Sequence, residues 1–166
     1  YYGGSMQLVN NSFENVDAVN LLINRARNLS VDGNLFKDFG QDAIRIEGGY
    51  ATGVIAFTNN EFIQTTAGHG YNGIFLYSGS GPDGHTKVVV DNNLFKQLGQ
   101  ANSAPFHGAI SANVYQEYPL DWHIQNNVFD HCYDYMWLRN NGADASIWSC
   151  KVENNQFLGL PNSFYF

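Results

Sequence analysis

Large aromatic side chains set beside amides and a guanidinium are the groups in this sequence best suited to hold a sugar. Phe75, Tyr77 and Trp137 fall on outward positions of two short strand-like segments, and Tyr115 and Tyr118 follow a third. Sugar rings present apolar C–H faces that pack on aromatic rings, while their hydroxyls need polar neighbours, here Asn113, Ser111 or Arg139. A polysaccharide is the partner that these residue types imply. The alternative is that long loops fold down over the rings and make a second small core. Large aromatics exposed together are unusual without a partner.

The titratable residues suggest less. Asp17, Asp42, Asn72, Gly108 and Asp134 align two residues before an apolar pair, with His107 alongside. Oxygen ligands in one file would suit calcium, or would cap strand starts by turn hydrogen bonds. Only Asp17 and Asp42 belong to adjacent repeats, so the turn role is expected and no metal or cofactor is assigned. Asp42 and Glu47 are the only close carboxylates for acid–base work on a glycoside. Arg45 and Arg139 point outward three repeats apart, roughly 14 Å, and cannot act as one pair.

His69 and His107 belong to neighbouring enlarged loops and are placed to meet. His85, His123 and His131 read as ordinary histidines. Cys132 and Cys150 both align with largely apolar columns, which predicts two buried free thiols. Asn-x-Ser sequons stand at Asn10 and Asn28, the first inside a turn.

Charge excludes several partners. Eight basic against fifteen acidic residues give a net charge of −7 over 166 residues. Phosphate binding needs concentrated Lys and Arg, so nucleic acid is not expected. No polybasic run suits an anionic membrane surface, and no apolar stretch approaches the ~20 residues of a span.

The elements that position these residues follow from a repeat. Asn-x-Phe recurs with Phe at positions 13, 36, 62, 95, 129 and 157, at intervals of 23, 26, 33, 34 and 28. Five copies carry a doubled Asn (Asn10, Asn59, Asn92, Asn126, Asn154), with Gly33 in the second copy. Five residues before each Phe stand Leu8, Val31, Phe57, Val90, Ile124 and Val152, and seven before stand Met6, Leu29, Ile55, Val88, Trp122 and Cys150. Two apolar columns separated by a mixed one are the alternation of a half-buried strand. A further strand follows each Phe, with apolar pairs Val19/Leu21, Ile44/Ile46, Ile74/Leu76, Ile110/Ala112 and Met136/Leu138. The connections swell at 63–73, 78–87, 96–108 and 114–121, enough to wall a groove over the third and fourth turns.

Periods of this length point to a solenoid. Asn tolerates left-handed backbone and can hydrogen-bond to its neighbours as a ladder. Over positions 6 to 160 the Asn-Asn-x-Phe pattern resembles the right-handed parallel β-helix repeat of the pectate-lyase-like superfamily. The resemblance implies an all-β solenoid of about six turns, with long loops on turns three and four. It also implies an activity class: lyases that abstract a proton beside a uronate carboxylate, or hydrolases with clustered carboxylates. No motif here matches either residue by residue, so no catalytic residue is carried over.

Three readings follow for what is expected to be one domain, 1–166, cut from a longer protein that opens here at Tyr1-Tyr2-Gly3-Gly4. The first is an extracellular or cell-surface module that binds plant-cell-wall glycans, comparable in architecture to cellulose-binding tāpirin adhesins. The second is a polysaccharide lyase or hydrolase using the same groove. The third is a structural fibre or phage-spike segment. Solenoid ends need caps; Asn162-Ser163-Phe164-Tyr165-Phe166 is placed to fold over the last turn, and further domains or chains would cover the other end.

Overall fold

The computed structural model describes residues 4–24, 27–47, 53–66, 70–78, 86–99, 107–114, 120–140, 148–159 and 164–165. Tyr115, Tyr118, His69, His85, Tyr1-Tyr2 and much of the enlarged connections lie outside the described residues.

Six coils each supply three strands. Coil 1 holds β1 (Ser5–Val9), β2 (Ser12–Val16) and β3 (Leu21–Asn24), and coil 2 holds β4 (Asn28–Asp32), β5 (Leu35–Phe39) and β6 (Ile44–Glu47). Coil 3 holds β7 (Gly53–Thr58), β8 (Glu61–Ile63) and β9 (Ile74–Ser78). Coil 4 holds β10 (Thr86–Asp91), β11 (Leu94–Lys96) and β12 (Ile110–Val114). Coil 5 holds β13 (Leu120–Gln125), β14 (Val128–Asp130) and β15 (Met136–Asn140). Coil 6 holds β16 (Trp148–Glu153), β17 (Gln156–Leu158) and β18 (Phe164–Tyr165). First, second and third strands stack into three parallel six-stranded sheets, here A, B and C, each running from coil 1 to coil 6 in sequence order. The architecture is a parallel β-helix.

The doubled Asn divides two tasks. The first of each pair takes left-handed backbone, with φ of 55–57° at Asn10, Asn59, Asn92, Asn126 and Asn154, and Gly33 serves the same place. The second turns inward and builds the ladder. Asn60 donates from its backbone N–H and its Nδ2 to Asn93 Oδ1, at 2.8 and 3.0 Å, and Asn93 donates likewise to Asn127 Oδ1. Beside the ladder the six Phe rings stack with centroids 4.9–5.1 Å apart. Each offset aromatic pair adds about 0.5–1.5 kcal/mol beyond its buried area.

Several expectations change. In coil 1 the inward pair is Leu21/Ile23, opposite Ile44/Ile46, so Val19/Leu21 was set two residues early. Eight residues separate Phe13 from Leu21, as they separate Phe36 from Ile44. Asp17 therefore does not share the file of Asp42. Phe164–Tyr165 pairs with Met136–Trp137 as a sixth strand of sheet C, so it extends the stack instead of closing it. Cys132 is buried as expected, but Cys150 is exposed, and both thiols are free. Cys150 stands opposite Trp122 in the inward file, yet among the described residues coil 6 pairs with coil 5 alone.

A second left-handed file follows sheet B, at Asn15, Asp38, Gln97, His131 and Gly159. Mixed residue types hide it in the sequence. Coil 3 lacks it. There Gln64 is buried at 1 % exposure and Thr65 is exposed, the reverse of Gln97 and Leu98 in coil 4. Omitting one left-handed residue flips the alternation at that corner.

Candidate functional site

The outward face of sheet C carries the predicted site as two files. Parallel pairing sets Leu22, Arg45, Phe75, Ser111 and Trp137 side by side. The second file runs Asn24, Glu47, Tyr77, Asn113 and Arg139. Neighbours in a file stand about 4.8 Å apart, because that is the spacing of paired strands. Arg45 and Arg139 remain three coils apart, as the sequence implied.

Exposure divides the predicted residues. Tyr77 is 40 % exposed, Phe75 and Asn113 are half-buried, and Arg139 is exposed. Trp137 is only 7 % exposed and Ser111 is fully buried. The expectation that Trp137 offers an open ring, with Ser111 serving hydroxyls next to it, is therefore corrected. The Arg139 guanidinium lies 6.0 Å from the Trp137 ring centre. The rings of Phe75 and Tyr77 are tilted 39° to one another, with centroids 6.0 Å apart. Tyr115 and Tyr118 lie outside the described residues.

At the other end of the face Arg45 is held by acids. Its Nε donates to Asp42 Oδ2 at 2.6 Å, and a second guanidinium nitrogen lies 3.6 Å from Glu47. Asp42 has no solvent exposure. Its other oxygen accepts from Asn72 Nδ2 at 2.7 Å, and Asn72 Oδ1 accepts from the Gly108 N–H. The Asp42/Glu47 pair thus shares one arginine, and the Asp42 carboxylate is held by the side chains of Arg45 and Asn72. Among the described residues no group of three His, Cys, Asp or Glu side chains is placed to hold a metal.

His107 stacks on Tyr71, with centroids 4.2 Å apart and planes 7° apart. Its Nδ1 is buried and finds no hydrogen-bond partner among the described residues. Burial lowers its pKa, against the opposing pull of Asp42 and Asp134. The Tyr71 contact was missed in the sequence; His69, the neighbour named there, lies outside the described residues.

The right handed beta helix region family matches residues 1–113, about two thirds of the chain. The chain belongs to that family. No curated protein and no solved structure matches it. The right-handed β-helix accounts for the three parallel sheets and the coil-by-coil register, and it hosts unrelated activities.

Proposed function

We propose that this β-helix is a non-catalytic glycan-binding module, holding an extracellular plant-cell-wall polysaccharide against the outward face of sheet C. The observation that carries the reading is the file Tyr77–Asn113–Arg139, in which an exposed ring, an amide and an exposed cation follow one another in three consecutive coils. Tyr77 offers its face to sugar C–H groups, with Phe75 beside it, while Asn113 and Arg139 face the hydroxyls. A long polymer suits a long, straight file better than a closed pocket does. A cell-surface or secreted setting follows from that substrate, and adhesion is the role it would serve.

Binding is favoured over cleavage because Asp42 is buried and both Asp42 and Glu47 are engaged by Arg45. Inverting and retaining hydrolysis each need two carboxyl groups facing the scissile bond. The test is incubation with insoluble cellulose, xylan and pectin, scoring pelleted protein and released sugar from the same tube. Protein in the pellet, no released sugar and loss of pelleting in Tyr77→Ala are expected. Released reducing sugar, or full pelleting by Tyr77→Ala, would sink the reading.

A further inference from the structure

Access to the outward face of sheet C has a direction. In coils 4 and 5 the first outward position is closed, with Ser111 at 0 % and Trp137 at 7 % exposure. The second outward position is accessible in each of coils 3, 4 and 5: Tyr77 is exposed, Asn113 half-buried and Arg139 exposed. A ligand lying along a strand of coil 4 or 5 therefore meets one accessible side chain and then a closed one. A ligand lying from coil to coil meets three accessible side chains in succession. Of these coils, coil 3 alone offers two accessible rings along its strand, Phe75 and Tyr77.

The accessible strip also has a period. The stacked Phe rings measure the advance from one coil to the next as 4.9–5.1 Å. Parallel pairing without offset keeps Tyr77, Asn113 and Arg139 in line at that period. Pyranoses joined 1,4 through equatorial bonds form an extended ribbon that advances by close to one coil spacing per sugar. An α-1,4 chain leaves each ring through an axial bond and winds, and a β-1,3 chain curves. Both fall out of step with the coils after the first sugars.

Each position suits one sugar of such a ribbon. The open Tyr77 ring packs on C–H groups, and the Asn113 amide can donate to and accept from hydroxyls. Arg139 lies over the Trp137 indole and forms no ion pair among the described residues. Arg45 differs, because Asp42 and Glu47 both engage its guanidinium. The Arg139 N–H groups are thus left to donate to a ligand.

We infer that this face selects a β-1,4-linked ribbon laid parallel to the solenoid axis, one sugar per coil, with Tyr77, Asn113 and Arg139 as three successive subsites. The inference rests on the glycan-binding reading of sheet C and adds to it a chain direction and a linkage class.

The test is a titration of the ¹⁵N-labelled full chain with cellobiose, cellotriose and maltotriose, followed by amide shifts. Cellotriose should bind about fivefold or more tighter than cellobiose, and its shifts should extend through the strands of Tyr77, Asn113 and Arg139. Maltotriose should bind at least that much more weakly than cellotriose. In Arg139→Ala the ratio of cellotriose to cellobiose affinity should fall to about one. Arg139→Gln, which keeps amide donors, takes its place if the alanine variant loses the native spectrum, and should at least halve the ratio. The inference is overturned if the two cello-oligosaccharides bind alike to the parent, if maltotriose matches cellotriose, or if the ratio survives in the Arg139 variant. Any of these results beside pelleting on insoluble glycan that Tyr77→Ala abolishes would leave the glycan-binding reading in place and remove the axial register. No shift with any sugar and no pelleting would remove both.

Discussion

Arg139 and Trp137 are two positions apart on one strand of sheet C, and the guanidinium of the first lies over the indole of the second, 6.0 Å from its centre. Alternation along a strand sends both outward, yet one is exposed and the other 7 % exposed. The indole is therefore a floor that positions a cation, and the open ring on this face belongs to Tyr77. A contact of this kind contributes about 0.5–2 kcal/mol, more when desolvated.

Substitutions at the two rings should separate binding from folding. Tyr77→Ala removes a half-open ring and should weaken glycan pelleting tenfold or more, with the urea midpoint nearly unchanged. Trp137→Ala empties a buried site and should cost about 3–5 kcal/mol of stability. Equal destabilisation by both, read from urea unfolding curves, would show that Tyr77 belongs to the core instead of the surface.

The ladder makes a second prediction. Asn93 accepts from the backbone and side chain of Asn60 and donates to Phe57 O, Asp91 O and Asn127 Oδ1. Asn93→Ala strands several buried groups, each costing about 1–3 kcal/mol, and should lower stability by roughly 3 kcal/mol or more. Asn11→Ala, at the exposed first rung, should cost less than half of that. A flat response along the ladder in urea unfolding would mean that water replaces the lost amide at every rung.

Much of this architecture was legible because stacking imposes one environment per column. The Phe file, the doubled Asn and the two apolar columns of sheet A each read as repeated residue types, and each found its place. The second left-handed file did not, since Asn, Asp, Gln, His and Gly all tolerate that backbone and leave no common letter. Nor did the burial of Trp137 and Ser111. Strand alternation tells which way a side chain points, and says nothing of what lies over it. The register of coil 1 was misplaced because Val19 and Leu21 alternate as well as Leu21 and Ile23 do. Pairing with coil 2 decides between them.

His107 gives the fold a pH dependence of definite sign. Desolvation holds its folded-state pKa below the unfolded value, while Asp42 and Asp134 pull the other way. The unfolded chain therefore binds more protons in the window beneath about 6.5, and stability rises with pH through it. Unfolding midpoints should be level above about pH 7 and fall as the pH drops from about 6.5 towards 5. His107→Phe keeps a ring against Tyr71 and should flatten that slope. Asp32, whose pKa is lowered by hydrogen bonds from Thr58 and Asn59, adds acid sensitivity only near and below about pH 4. An unchanged slope in His107→Phe would assign the acid sensitivity to other groups.

The two cysteines provide a direct check on burial in coils 5 and 6. Cys132 sits beneath Leu98 and Phe95 in the core, its Sγ directed at Phe95 O, and burial pushes its thiol up to about 12. Cys150 points along the inward file but lies at the exposed coil, where partial desolvation raises its thiol to about 11. The thiolate is the nucleophile, and at pH 8 a thiol of that pKa is ionised about one part in a thousand. Iodoacetamide should therefore add slowly to Cys150, roughly tenfold faster for each pH unit up to about 10, and should spare Cys132 until urea unfolds the chain. Mass spectrometry of the native protein should count one adduct. Two adducts without denaturant would place Cys132 within reach of solvent. None at pH 9 would mean that coil 6 is covered, in solution, by a further copy or segment.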